Sequence, residues 1–292
     1  MPDPWSVGGA TALQTHAPTA AVALSGLVSV WPVGVGEAEL TTIRAVTAEG
    51  LGLTPLWHAP AGPRSEPLEP VAGVMPFAEQ FAVDVSVVDD GLRRGWYAVV
   101  GHAAFDATLV VWVADFVPRA RAALDALFGS DSWFDVGLSA TRHGRLVMEE
   151  FIREVGLLDA LDPVTTELVR LRGARQHTCR LCMSRRSLDA IDAGATAVTF
   201  DAVDQYRSSG LGDAEQAALA LTDAMIWTPA HLRAQDLDAV RRHLTPAQAV
   251  EVVLEVTRNS ANKIAVALNA DRPEVDGIQL FQQDEGGGLR FP

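Results

Sequence analysis

The chain has 292 residues, a formal net charge of −14 and 48% apolar residues, enough to bury one large core or two ordinary ones and too apolar for wholesale disorder. The negative balance argues against nucleic acid and anionic lipid surfaces as partners. Lys263 is the only lysine, so arginine carries nearly all the positive charge, a pattern of high-GC coding rather than of chemistry.

In chain order, the first apolar stretch is residues 20–31. No lysine or arginine precedes it, and it is too short to span a bilayer, so it is predicted to be a core helix and the protein to be cytoplasmic. Helical spacing then runs through residues 77–90 and 105–128. Beyond a Gly-, Ser- and Asp-containing interruption at 129–144, it returns at 163–173, 178–193, 213–227 and 246–270. Start signals support several of these: Asp162 before Pro163, Thr245 before Pro246, and Asp213 as a cap before Ala214. Gly194 reads as a stop. No stretch alternates convincingly at period two, so the predicted fold class is all-α.

An internal repeat is legible. Ala78-Glu79-Gln80 matches Ala214-Glu215-Gln216 at an offset of 136, and Ala123-Leu124-Asp125-Ala126 matches Ala267-Leu268-Asn269-Ala270 at an offset of 144. The difference falls on a loop-like insertion near residues 228–236. The chain therefore divides into a first copy, 1–140, and a second, 141–292. Setting Arg44 against Arg170 places Leu53 and Leu56 opposite the two cysteines, in a proline-rich region that cannot continue a helix, so the first copy is degenerate.

The two cysteines, Cys179 and Cys182, stand three apart, near enough to close a disulfide, and Glu167 lies twelve positions before the first. A carboxylate one helix away can serve as the base that makes a thiolate. Glutamate, eleven residues, then C-x-x-C, with the later segment Asn259-Ser260-Ala261-Asn262-Lys263, resembles the carboxymuconolactone decarboxylase superfamily, in its alkylhydroperoxidase D-like branch. The resemblance implies a helical bundle in two tandem copies, and a thiol-dependent peroxidase whose pair cycles between dithiol and disulfide. It also implies a hydroperoxide substrate, a lipoyl or thioredoxin-like dithiol reductant, no bound cofactor or metal, and a homo-oligomer. That dimer or trimer is expected to pack through apolar faces such as residues 109–112, with neither nucleic acid nor membrane as partner.

One position departs from the pattern. Arg186 stands where the branch places a relay histidine, and arginine stays protonated at any useful pH. An unperturbed thiol of pKa ~8.5 is only about 3% thiolate at neutral pH, so full ionisation gains roughly thirtyfold. Arg186, read as one turn beyond Cys182 on the same helix, is expected to supply part of that gain by its charge. Proton delivery to a departing alkoxide is worth ~10²–10⁴, and arginine cannot provide it. The expectation is a depressed thiol pKa with slow peroxide turnover, Cys182 attacking, Cys179 resolving and His177 as a substitute acid. On the bland reading, Arg185 and Arg186 form a solvated helix face, with Arg185 pairing Asp189. Trp227 is expected to line the pocket beside the cysteines. Two other functions stand beside the peroxidase: a carboxymuconolactone-type decarboxylase, and a catalytically impaired protein of redox sensing or assembly.

Overall fold

A computed structural model describes residues 3–56, 71–133 and 143–292. It is mostly helical. The first half holds α1 (Gly9–His16), α2 (Pro18–Ser29), α3 (Glu37–Glu49), α4 (Met75–Val83), α5 (Asp90–Val100) and α6 (Ala104–Phe128). The second holds α7 (Gly144–Gly156), α8 (Pro163–Gln176), α9 (Arg180–Met183), α10 (Leu188–Asp192), α11 (Ala197–Asp201) and α12 (Asp213–Trp227). After these come α13 (Ala234–His243), α14 (Pro246–Ser260) and α15 (Lys263–Ala267). A small sheet joins β1 (Arg185–Ser187) in parallel to β2 (Gln279–Gln283), which turns back antiparallel to β3 (Leu289–Arg290).

The predicted starts hold where a side chain can satisfy the free N–H groups of a first turn. Asp162 Oδ1 accepts from the N–H of Val164 and of Thr165, and Pro163 opens α8. Thr245 and Gln248 cap α14 reciprocally. For α12 the cap lies one residue earlier than expected: Gly212 precedes the helix, and Glu215 reaches back to its N–H at 2.6 Å. Gly194, at φ 103°, ends the α10 turn in a conformation that glycine adopts freely.

Long-range packing buries α6 and α14 at the centre. α3 packs against α4 and α6, α8 packs against α12 and α14, and α2 lies on α7. One continuous apolar core draws on both halves, from Leu13 and Trp112 to Val253 and Ile264. Trp112 Nε1 donates to Ser260 Oγ at 2.8 Å across the α6–α14 contact, so the indole is buried without an orphan donor. The stretch Asp90–Phe128 is long and apolar enough to cross a membrane by length and composition. In this fold its α6 portion is core, and it carries a buried ion pair between Asp115 and Arg119.

Four expectations are corrected. The helix from 77 stops at Val83, because Asp84 turns extended and accepts from Ser86, leaving a short 3₁₀ turn. The helix expected over 178–193 is broken, because β2 recruits residues 185–187 into a sheet. The final helix breaks at Ala261-Asn262 between α14 and α15. Residues 109–112, expected on an oligomer face, are buried in the chain's own core. The boundary at 140 and most of the proline-rich stretch lie outside the described residues.

Candidate functional site

α8 carries Glu167 one turn after its cap. The residue is 2% exposed, and Arg170, one turn further on, grips its carboxyl through Nε at 2.6 Å and Nη2 at 2.7 Å. The same guanidinium donates to the carbonyls of Cys182 at 2.9 Å and Arg185 at 2.8 Å. Glu167 also accepts the N–H of Ser187 at 3.3 Å. Arg170 thus ties the acid to the segment on either side of the broken helix.

After α8 the chain reverses through Thr178, whose φ of 53° is unusual for a β-branched residue. Cys179 follows as the cap of α9. Its Sγ accepts the N–H of Cys182 at 3.2 Å, and the two cysteines form a disulfide. Both are buried, at 1% and 5% exposure. Asp271 receives the N–H of Arg180, and its carbonyl receives that of Leu181, so the tail fixes the start of α9. The Arg180 contacts hold the Asp271 carboxyl below the usual carboxylate range even though burial opposes this.

A cavity of about 500 Å³ opens against this segment. Cys182, Glu167, Arg170 and Ser187 form one wall, and Glu255, Arg258, Asn259 and Asn262 of the α14 end form another. Phe281, Gln283 and Leu289 of the tail hairpin also line it. Of the two cysteines, Cys182 borders the cavity and Cys179 does not. Glu255 and Arg258 repeat the α8 pattern one turn apart, at 2.8 Å, and Asn259 Nδ2 donates to Glu255 at 2.8 Å.

The remaining predicted residues lie elsewhere. Arg186 sits in β1 rather than one helical turn beyond Cys182, so the expected shared face does not form. Its Nη1 donates to the carbonyls of Met183 and Arg185, and the guanidinium lies over Phe200. Arg185 pairs with Glu274 instead of Asp189, which accepts from Gln282 and Gln283. His177 is buried edge-on to Phe116. Burial, then the positive Lys263 and Arg119, push its pKa well below the ordinary value. It borders a separate cavity of about 10 Å³, shared with Lys263, Arg119 and Trp227, so Trp227 does not line the cavity of Cys182. Among the described residues, no group of three or more His, Cys, Asp or Glu side chains could hold a metal ion.

The chain is 41% identical over 246 residues to two Mycobacterium tuberculosis proteins, Rv2313c of strain H37Rv and MT2376 of strain CDC 1551, both described as uncharacterized. The match covers 80% of this chain and 84% of each relative. The chain belongs to their family. No family model matches it, and no solved structure matches it significantly.

Sequence reasoning missed Arg258, Glu255 and the tail hairpin. The signal for the first two was present: Glu251, Glu255 and Arg258 share one stripe of a helix that is otherwise apolar almost all round. For the hairpin it was the glycine run 286–288 between two short segments.

Proposed function

We propose that this protein is a thiol-dependent oxidoreductase of the alkylhydroperoxidase D-like kind, reducing organic hydroperoxides slowly with Cys182 and Cys179. The observation that carries the reading is a disulfide between buried cysteines, the second of which lines a substrate-sized cavity beside a buried carboxylate. In the reduced protein the Cys182 thiolate attacks one peroxide oxygen. The S–O bond forms as the O–O bond breaks, and the alkoxide leaves as the alcohol after taking a proton. The Cys179 thiol then displaces hydroxide from the sulfenic acid, giving water and the disulfide, and an external dithiol returns two electrons and two protons. Slow turnover follows from the surroundings: Arg170 holds Glu167 as an ion pair, Arg186 cannot give up a proton, and His177 faces another cavity.

The same Arg170 grip favours a second reading, in which the pair responds to redox state without efficient turnover. The tandem-bundle reading draws support from packing order, since α3 relates to α4 and α6 as α8 relates to α12 and α14. Arg119 and Lys263, themselves 144 apart, both bond the buried Asp115.

The test is a thiol count. The reduced protein should lose both free thiols to one equivalent of cumene hydroperoxide and yield one equivalent of alcohol. Retention of both thiols after prolonged exposure would refute the peroxidase reading, and stoichiometric but non-catalytic oxidation would select the sensing alternative.

A further inference from the structure

The cavity beside Cys182 holds an unmatched recognition group, and this inference rests on the proposal that the cavity is the substrate site. Three of its four carboxylates are already supplied with donors, and the fourth, Asp159, is exposed. Arg170 occupies both oxygens of Glu167, Arg258 Nη1 and Asn259 occupy those of Glu255, and Gln282 and the backbone of Gln283 occupy those of Asp189.

Arg258 has a side chain only 10% exposed, yet among the described residues only its Nη1 is hydrogen-bonded. Its Nε and Nη2 form the edge that meets a carboxylate with two parallel hydrogen bonds. Elsewhere in this chain the same edge is used in that way, by Arg170 toward Glu167 and by Arg172 toward Asp223 at 2.6 and 2.9 Å. That edge has no acceptor within the protein and is not sealed from solvent, so it is open to an incoming one. The same cavity is also bordered by apolar side chains, Ile152, Leu158, Phe281 and Leu289.

We propose that the open Nε–Nη2 edge of Arg258 is the head-group site of this cavity, which takes an amphipathic organic acid with its carboxylate on Arg258 and its apolar body along the hairpin wall. In the thiol reaction the acid would carry the hydroperoxide on its chain, with Arg258 fixing its register toward Cys182.

Calorimetry on the full, oxidised chain tests this without any turnover, using octanoate, octanol and octylamine. Octanoate should bind about ten- to a hundredfold more tightly than octanol, the range set by a charge-assisted pair, and octylamine should bind no better than octanol. In a Glu255→Gln/Arg258→Gln variant, which removes both charges together, that preference should fall to about twofold or less. Equal binding of acid and alcohol to the unaltered protein would overturn the assignment even if the double variant failed to fold, and so would a preference surviving in a folded variant. Absence of the preference in the unaltered protein beside intact disulfide formation sinks only the head-group site. Binding beside inert thiols sinks only the peroxidase reading.

Discussion

Glu167 and Arg170 lie one turn apart on α8 and share two hydrogen bonds, of 2.6 and 2.7 Å, with side chains 1% and 13% exposed. The carboxylate expected to act as a free base is therefore also the anchor of a guanidinium that holds the carbonyls of Cys182 and Arg185. Removing Arg170 strands a buried charge and frees the segment behind the disulfide. Arg170→Met should cost about 3–5 kcal/mol in urea unfolding, and adding Glu167→Gln should recover most of it. A loss below about 1 kcal/mol would mean that water already screens the pair.

The two sulfurs should differ once reduced. Cys179 sits at a helix cap and accepts an N–H, which favours its thiolate, but it is 1% exposed and does not border the cavity. Cys182 has the access. In single-serine variants under native conditions, Cys182 in the Cys179→Ser protein should alkylate with iodoacetamide faster than Cys179 in the Cys182→Ser protein, by about tenfold or more. The reverse order, read by mass spectrometry, would make Cys179 the attacking thiol.

The sequence exposes α8 and α14 because their caps are local, Asp162 and Thr245 acting within one turn, and it places α12 through Asp213, one residue after the true cap at Gly212. It exposes the cysteine pair and Glu167 because spacing along the chain carried the signal. The break after Met183 is invisible to the same reasoning. Residues 185–187 suit a helix by spacing, yet Arg185 pairs with Gln279, a partner far along the chain that no local window contains. Losing that helix moved Arg186 away from its expected place. Arg258 was overlooked for a different reason: a Glu–Arg pair one turn apart reads as an ordinary surface pair unless the apolar residues around the rest of the helix are weighed with it.

Glu251 links the cavity's helix to pH. Its carboxyl accepts the N–H groups of Ala160 and Leu161, yet burial outweighs them and raises its pKa to about 7. An acid with a raised folded pKa binds more protons folded than unfolded between its ordinary value of 4.5 and about 7, so its contribution to stability falls as pH rises through that window. Glu251→Gln keeps an acceptor for the two N–H groups and carries no charge. Near pH 8 it should be more stable than the unaltered protein by about 1–2 kcal/mol, a figure reduced for partial solvation, and near pH 4 the gain should vanish. An equal gain at both pH values would assign it to packing instead.

Lys263 gives the opposite slope. Its amine is buried over the rings of Phe81 and Phe116, with Nζ 2.5 Å from Asp115. Burial lowers its pKa from 10.5 to about 8, helped by the nearby Arg119 guanidinium and opposed by Asp115 and Asp84. Between about 8 and 10.5 the unfolded lysine keeps a proton that the folded one has shed, so its contribution to stability rises with pH. Lys263→Met leaves Asp115 paired with Arg119 at 2.6 Å and puts an apolar chain against the two rings. Subtracting the variant's urea-unfolding free energy from that of the unaltered protein cancels the other titrations. That difference should move toward the unaltered protein by about 2 kcal/mol between about pH 7 and about pH 9.5, the part of the shift that falls in this interval. A difference that stays constant across it would mean that Asp115 holds the amine charged throughout, and that the ion pair rather than burial sets the state of Lys263.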